Sequence, residues 1–265
     1  MIIDSHAHVF ENWHGACGHP SVDIHLRYIQ KNVTRPAAKT FRVRDGKEVK
    51  PTMLFRSEDN TWAGLNDVGF RVGLYGRLEF THEGESYAIQ YMPVGMQRIE
   101  SPPAFMVAQM VYAGVDHCIL QAGGGYGVMN DYNALAQNEH PEKFTGLLHI
   151  DEAIADRDEV LAEVDRAHKI LGLKGLYYSH DFSRHGYDRN IDHAAFAPFL
   201  GQGRDLRAVG FHGAFGHAAL RPGELHRQPH SARPRCAATS HAALRACNGP
   251  TGRAFCLCRS MGVPA

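Results

Sequence analysis

The 265-residue chain has no excess of charge: 28 Lys plus Arg stand against 28 Asp plus Glu. A nucleic-acid or anionic-membrane partner asks for a basic surface, so neither is expected. No apolar run approaches the ~20 residues of a membrane span. The start of the chain has neither the basic leader nor the long apolar core of a secretory signal, so the cytoplasm is the expected location. Cysteine is sparse and poorly spaced. Cys17 and Cys118 stand apart, and Cys236, Cys247, Cys256 and Cys258 crowd the last thirty residues without a Cys-x-x-Cys pair. What remains is a small-molecule substrate as partner, with a homo-oligomer left open.

Histidine, by contrast, is abundant, with 18 residues. Two of them stand in the stretch around which the chain is organised, Met1 to Val9. Met1, Ile2 and Ile3 read as a short buried strand. The chain then runs Asp4-x-His6-x-His8. Residues two apart on a strand point to the same side, so His6 and His8 can aim both rings at one point. Two neutral imidazoles suit Zn and similar divalent ions.

An apolar strand closing in Asp4, His6 and His8 resembles the start of the amidohydrolase superfamily, in the branch that includes the aminocarboxymuconate-semialdehyde-type decarboxylases. The resemblance covers residues 1–200. Asn130-x-Tyr132, then Glu139-x-Pro141-Glu142-x-Phe144-x-Gly146, and the strand Leu173-Lys174-Gly175 are similar to further runs of that family. It implies a (β/α)8 TIM barrel, for which ~250 residues is typical. It also implies a divalent metal, with zinc expected, held by His6 and His8. Such a metal lowers the pKa of water toward ~7, so that hydroxide attacks a small amide, ester or lactone. An aspartate on a late strand would move the proton. The same site in the decarboxylase branch would instead remove CO2 from a small aromatic or unsaturated carboxylate.

In chain order, Ser21 caps a helix over 21–29 that ends before Pro36. Residues 41–96 read as an antiparallel β insertion after the first barrel strand. Asp45-Gly46 marks one hairpin, and strands over 71–80 and 86–91 turn at Glu83-Gly84. Regular alternation follows. A helix from Ser101 to Gly114 presents Phe105, Val107, Ala108, Met110 and Val111 as one apolar face. The second strand is 115–121, followed by a tight Gly123–Gly125 loop. The helix Asn130–His140 leads to a third strand, 144–151. The helix Asp158–Leu171 leads to a fourth, 173–178. Barrel chemistry lies at the C-terminal strand ends. There stand Gln121, His149, Asp151, Ser179, His180 and Asp181. His180, Asp181 and His149 are candidate metal or substrate residues. His14 and His19 are substrate-loop candidates or ordinary solvated histidines. Lys174 lies at the wrong end of its strand and reads as structural.

After residue 200 the composition breaks. Residues 201–265 contain no Lys, Ile, Tyr or Trp, and set nine arginines against Asp205 and Glu224. Apolar periodicity disappears. The family would continue with four more βα units, carrying a histidine and the acid/base aspartate, and no catalytic residue for that role can be named here. The expected organisation is an incomplete barrel of about four βα units over 1–200 and an irregular tail over 201–265. A G+C-rich gene read one base out of frame yields such a tail. A basic disordered segment is the competing explanation, although disorder favours Ser, Glu, Lys and Gln over Cys and His. On this reading the chain is catalytically impaired or a non-catalytic fragment.

Overall fold

The computed structural model describes residues 1–33, 39–56, 62–123, 125–151, 154–177, 194–205 and 255–256. Its strands are β1 (Ile2–Ala7), β2 (Thr40–Arg42), β3 (Glu48–Val49), β4 (Arg71–Val72), β5 (Arg77–His82), β6 (Glu85–Gln90), β7 (His117–Leu120), β8 (Phe144–Leu148), β9 (Gly175–Leu176) and β10 (Phe255–Cys256). The helices are α1 (Val22–Asn32), α2 (Pro103–Ala113), α3 (Asn130–Glu139), α4 (Asp158–Asp165) and α5 (Ala197–Asp205).

One sheet runs β10-β1-β7-β8-β9, and every pairing in it is parallel. The helices α2, α3 and α4 each connect one strand to its neighbour, as the alternation predicted. The protein is thus a mixed α/β chain with a parallel sheet. Among the described residues this sheet is open and does not close into a barrel. The strand ends are shorter than expected. The third strand stops at Leu148, so His149 and Asp151 lie just beyond it, and the fourth is only Gly175–Leu176. The helix α5 runs to Asp205, past the point where the composition changes, and Phe255–Cys256 pair with Ile2–Ile3.

Other local expectations need correction. The first strand is half-buried rather than buried, because only the two-residue β10 covers its outer edge. The helix α2 has no charged residue, yet just Pro103 and Met110 are buried. Phe105 is 47% exposed, Val111 69% and Tyr112 91%, so the broad apolar face does not all turn inward. The helix over 158–171 is α-helical to Asp165 and widens into a π-turn over Arg166–Ile170 before Gly172 ends it at φ 73°.

Residues 40–90 form the expected antiparallel sheet, in the order β3-β2-β6-β5-β4. Glu83 and Gly84 both have positive φ (50° and 79°), as a two-residue hairpin turn requires. The single strand expected over 71–80 is instead a hairpin. Tyr75 and Gly76 adopt φ 58° and 75° and fold β4 back on β5. A Cβ on Gly76 would lie 2.2 Å from the Met92 carbonyl oxygen, so no other residue fits there.

Ser21 caps α1 by accepting a hydrogen bond from the Ile24 N–H at 3.2 Å. The buried Gln30 ties α1 to the insertion by donating to the carbonyls of Leu54 (3.0 Å) and Asn66 (2.8 Å). The largest apolar cluster joins this sheet to the loop after β1, through Phe10, Trp13, Leu54, Phe80 and Ile89. The second sheet is therefore packed beside the C-terminal end of β1, where the histidine pair stands.

Candidate functional site at the end of the first strand

The β1–β7 register reads Ile3↔His117, Asp4↔Cys118 and Ala7↔Leu120. From Asp4 to Ala7 the first strand advances three residues while β7 advances two. This is a β-bulge over Ser5 and His6. A bulge leaves backbone groups without ladder partners, and side chains take them here. The Asp4 carboxylate accepts from the His6 N–H at 2.9 Å. The Gln121 side-chain amide donates to the Ser5 carbonyl at 2.7 Å. The acid two residues before the motif thus braces the backbone of the bulge.

His6 and His8 come together, with ring centroids 4.9 Å apart at 79°. His6 is exposed and His8 is largely buried. His8 Nδ1–H donates to the Gln121 carbonyl at 2.9 Å, since a carbonyl can only accept. That bond fixes the tautomer and leaves Nε2 as the atom with a free lone pair. Burial, the largest cause, pushes the His8 pKa down to about 4. The Gln121 bond opposes the shift and the neighbouring His6 adds to it. His8 is therefore neutral at pH 7, the state a metal ligand needs.

Aromatic side chains wall the site. Tyr126 stacks on His8 at 4.6 Å and 28°, and touches Phe10 at 4.8 Å. Trp13, fully buried, lies 5.7 Å from Tyr91 of the insertion and 6.1 Å from Tyr126. Burial raises the Tyr126 pKa, with Tyr91 and Tyr177 adding to the rise, so its hydroxyl stays protonated. The loops after β1 and β7 meet backbone to backbone. Val128 N–H donates to the Cys17 carbonyl at 2.9 Å, and a Cβ on Gly127 would sit 2.2 Å from that same oxygen.

The other candidates are placed differently. His149 stands at the end of β8, its N–H and C=O both held by the Asn130 side chain at 2.8 and 3.0 Å. Its ring lies 5.9 Å from that of Tyr177. His14 is exposed and bonds Asn12 within its own turn. His19 is stacked on Tyr28 (4.5 Å) and His25 (5.4 Å) and packs against α1. Burial, with His25 adding, pushes its pKa down to about 4. His180 and Asp181 lie outside the described residues. Sequence reading missed Tyr126 and Tyr91. Nothing in their spacing announces them, although Tyr126 follows the Gly123–Gly125 run at a strand end.

Tested against a divalent ion, His6 and His8 fit as two of its ligands: adjacent imidazoles, one neutral with its lone pair free. Among the described residues no group of three or more His, Cys, Asp or Glu gathers, so the described set is two. Among the described residues no helix is long and apolar enough to cross a membrane.

No family model matches the chain, and no curated protein matches it. Among solved structures it is similar to a 5-carboxyvanillate decarboxylase from Novosphingobium aromaticivorans, crystallised with manganese and 3-methoxy-4-hydroxy-5-nitrobenzoic acid. That likeness has TM-score 0.31 and 21% identity over 39% of this chain and 32% of that one. The same enzyme from Sphingomonas paucimobilis gives TM-score 0.31 and 24% identity over 38% and 32%. A probable 2-pyrone-4,6-dicarboxylic acid hydrolase from Acinetobacter baumannii, with citric acid bound, gives TM-score 0.33 and 14% identity over 41% and 38%. The match thus spans between 32% and 38% of the length of these enzymes. A likeness of this extent leaves the site and its chemistry to rest on the residues themselves.

Proposed function

We propose that residues 1–200 carry the metal-binding part of an amidohydrolase-type hydrolase site, acting on a small amide, ester or lactone. The observation that carries this reading is the His6–His8 pair at the C-terminal end of a parallel strand, with His8 neutral and presenting a free Nε2. A divalent ion, zinc by the match to neutral imidazole, would supply a Lewis acid that lowers the pKa of water to ~7.

The chain's own residues supply the rest. Tyr126 stacks on His8 and shields that face of the ring from water, and Trp13 packs against Tyr126. Asn130 anchors the backbone at His149 just past the end of β8, two strands from β1. The same ligand pair would also serve a carboxy-lyase acting on a small unsaturated carboxylate, and the substrate panel below separates the two. Catalytic sites of this type use at least three protein ligands plus an open position. His180, Asp181 and His149 are the candidates for the third.

The tail over 201–265 breaks the sequence pattern that should supply the acid/base aspartate, so turnover by this chain is expected to be low. Loss of such a proton-transfer group costs ~10²–10⁴ in rate. The test is metal content by mass spectrometry together with turnover on amides, lactones and aromatic carboxylates. A zinc equivalent lost in His6→Ala, with weak hydrolysis, supports the reading. Stoichiometric metal that survives both His6→Ala and His8→Ala sinks it. Resequencing the gene around codon 200 settles the frame separately: barrel-like sequence after a one-base correction supports the shifted-frame reading.

A further inference from the structure

We propose that Gln121 is the positioning residue of the His6–His8 pair: its side-chain amide holds the bulged end of β1, and its main-chain carbonyl sets the His8 ring.

Gln121 follows β7, the strand beside β1, and is 2% exposed. Three of its polar groups reach the motif. Its N–H donates to the Ala7 carbonyl at 2.8 Å. Its Nε2 donates to the Ser5 carbonyl at 2.7 Å. Its carbonyl accepts from His8 Nδ1–H at 2.9 Å. These contacts fall at residues 5, 7 and 8, on both sides of His6. A bulge re-aims the side chains that follow it. The Ser5 carbonyl at the bulge is part-buried, and the Gln121 amide donates to it at 2.7 Å. Without that donor the bulge relaxes toward regular pairing, which slips the chain by one residue and turns the following side chain to the other face. His8 would then leave the Gln121 carbonyl, the one contact that holds its proton on Nδ1, and its Nε2–H tautomer would become populated.

The remaining atom of the amide narrows the role. Gln121 Oε1 is buried and has no hydrogen-bond partner among the described residues. The side chain therefore acts here as a donor only. Gln121→Met keeps the shape and the backbone carbonyl, removes an unsatisfied acceptor, and deletes one bond. A large loss of fold is not its expected effect. Orienting groups behind a metal-bound histidine are commonly worth 10–100-fold in affinity, and that consequence rests on the ligand role proposed above for His6 and His8.

The experiment uses the metal-free full chain with 15N-labelled histidine, at pH 7, reading the imidazole tautomers by long-range 1H–15N correlation. The wild type is expected to show His8 as the single Nδ1–H tautomer. Gln121→Met is expected to show a mixture at His8. His168 serves as the internal control, because its Nδ1 is held by the Leu173 carbonyl at 3.0 Å, away from Gln121. Zn2+ titration by calorimetry is expected to weaken by about 10–100-fold in the variant. A wild-type His8 in the Nε2–H form overturns the proposal without any variant, which covers the case of a variant that does not fold. A folded Gln121→Met with unchanged His8 tautomer and unchanged Zn2+ affinity overturns it too. If the wild type binds no Zn2+ while the tautomers behave as expected, the positioning role stands and the metal-site reading falls.

Discussion

Lowering the pH from 7 to 5 should destabilise this protein through histidines that have nothing to do with surface charge. His8 is pushed down to about 4, first by burial and then by His6, and its Gln121 bond only partly offsets this. In an unfolded chain it would titrate near 6.5. The unfolded state therefore binds a proton below 6.5 and the folded state does not until about 4. Stability is full above 6.5 and falls across the window from 6.5 to 4. At pH 5 the difference works out to about 2 kcal/mol for His8. His19 shifts in the same direction, but it is only half-buried, and solvent screening limits it to ~1 kcal/mol. His25 also titrates low, with burial as the leading cause, and adds in the same sense. His8 and His19 together give about 3 kcal/mol, a large share of the 5–15 kcal/mol typical of a folded domain. Urea unfolding at pH 7 and pH 5 measures it. Carboxylates also titrate in this range, so the decisive comparison is with His8→Gln, which should lose about 2 kcal/mol less than the wild type between the two pH values. Identical pH dependence in the two proteins would refute the burial argument for His8.

Trp13→Ala empties a fully buried site in the cluster that joins the second sheet to the loop after β1, and should cost about 3–5 kcal/mol in urea midpoint measurements. Gly127→Ala places a methyl 2.2 Å from the Cys17 carbonyl oxygen at φ 116°. It should cost about 1–3 kcal/mol in the same assay and blur the backbone NMR signals of both loops. Asn130→Asp sets a carboxylate against the Glu163 side chain (2.7 Å) and the His149 carbonyl (3.0 Å). A loss of about 2 kcal/mol or more is expected, largest at high pH. His8→Ala should abolish zinc uptake in the full chain, whereas His14→Ala, in its own exposed turn, should leave uptake within about twofold.

The features legible in the sequence are those with a local cause. Ser21 before an apolar run and the pairs Asp45-Gly46 and Glu83-Gly84 were enough to locate α1 and two hairpin turns. Alternation of short β runs with longer amphipathic segments was enough to order β1, β7, β8 and β9. Local signals failed where a strand breaks without a break in pattern. Residues 71–80 alternate smoothly, yet Tyr75 and Gly76 reverse the chain because the fit of Gly76 against the Met92 carbonyl is a tertiary fact. They failed again at α2, where an uncharged helix suggests a fully covered element while only one side of it meets the sheet. At the site, the period-two rule expects His6 and His8 side by side, and their ring centroids lie 4.9 Å apart, although a bulge intervenes and β1 stops at Ala7. The bulge beneath them depends on residues 116 positions away in sequence, Ser5 and Gln121, and no spacing rule could show it. His19 looked like a loop residue open to substrate. Its burial against Tyr28 and His25 follows from how α1 folds back over the loop.

The seam between the loops after β1 and β7 also sets where this chain can be cut and lengthened. The Cys17 carbonyl meets Val128 N–H, and Gly18 and Gly127 have no room even for a methyl group. A residue inserted on either side of that seam has nowhere to bulge and would drag Tyr126 across the face of His8. The tips at Gly46 and Gly84 are the opposite case, since an added Cβ there meets nothing within 4 Å. An epitope tag, a fluorophore handle or a circular-permutation break belongs at those two hairpins.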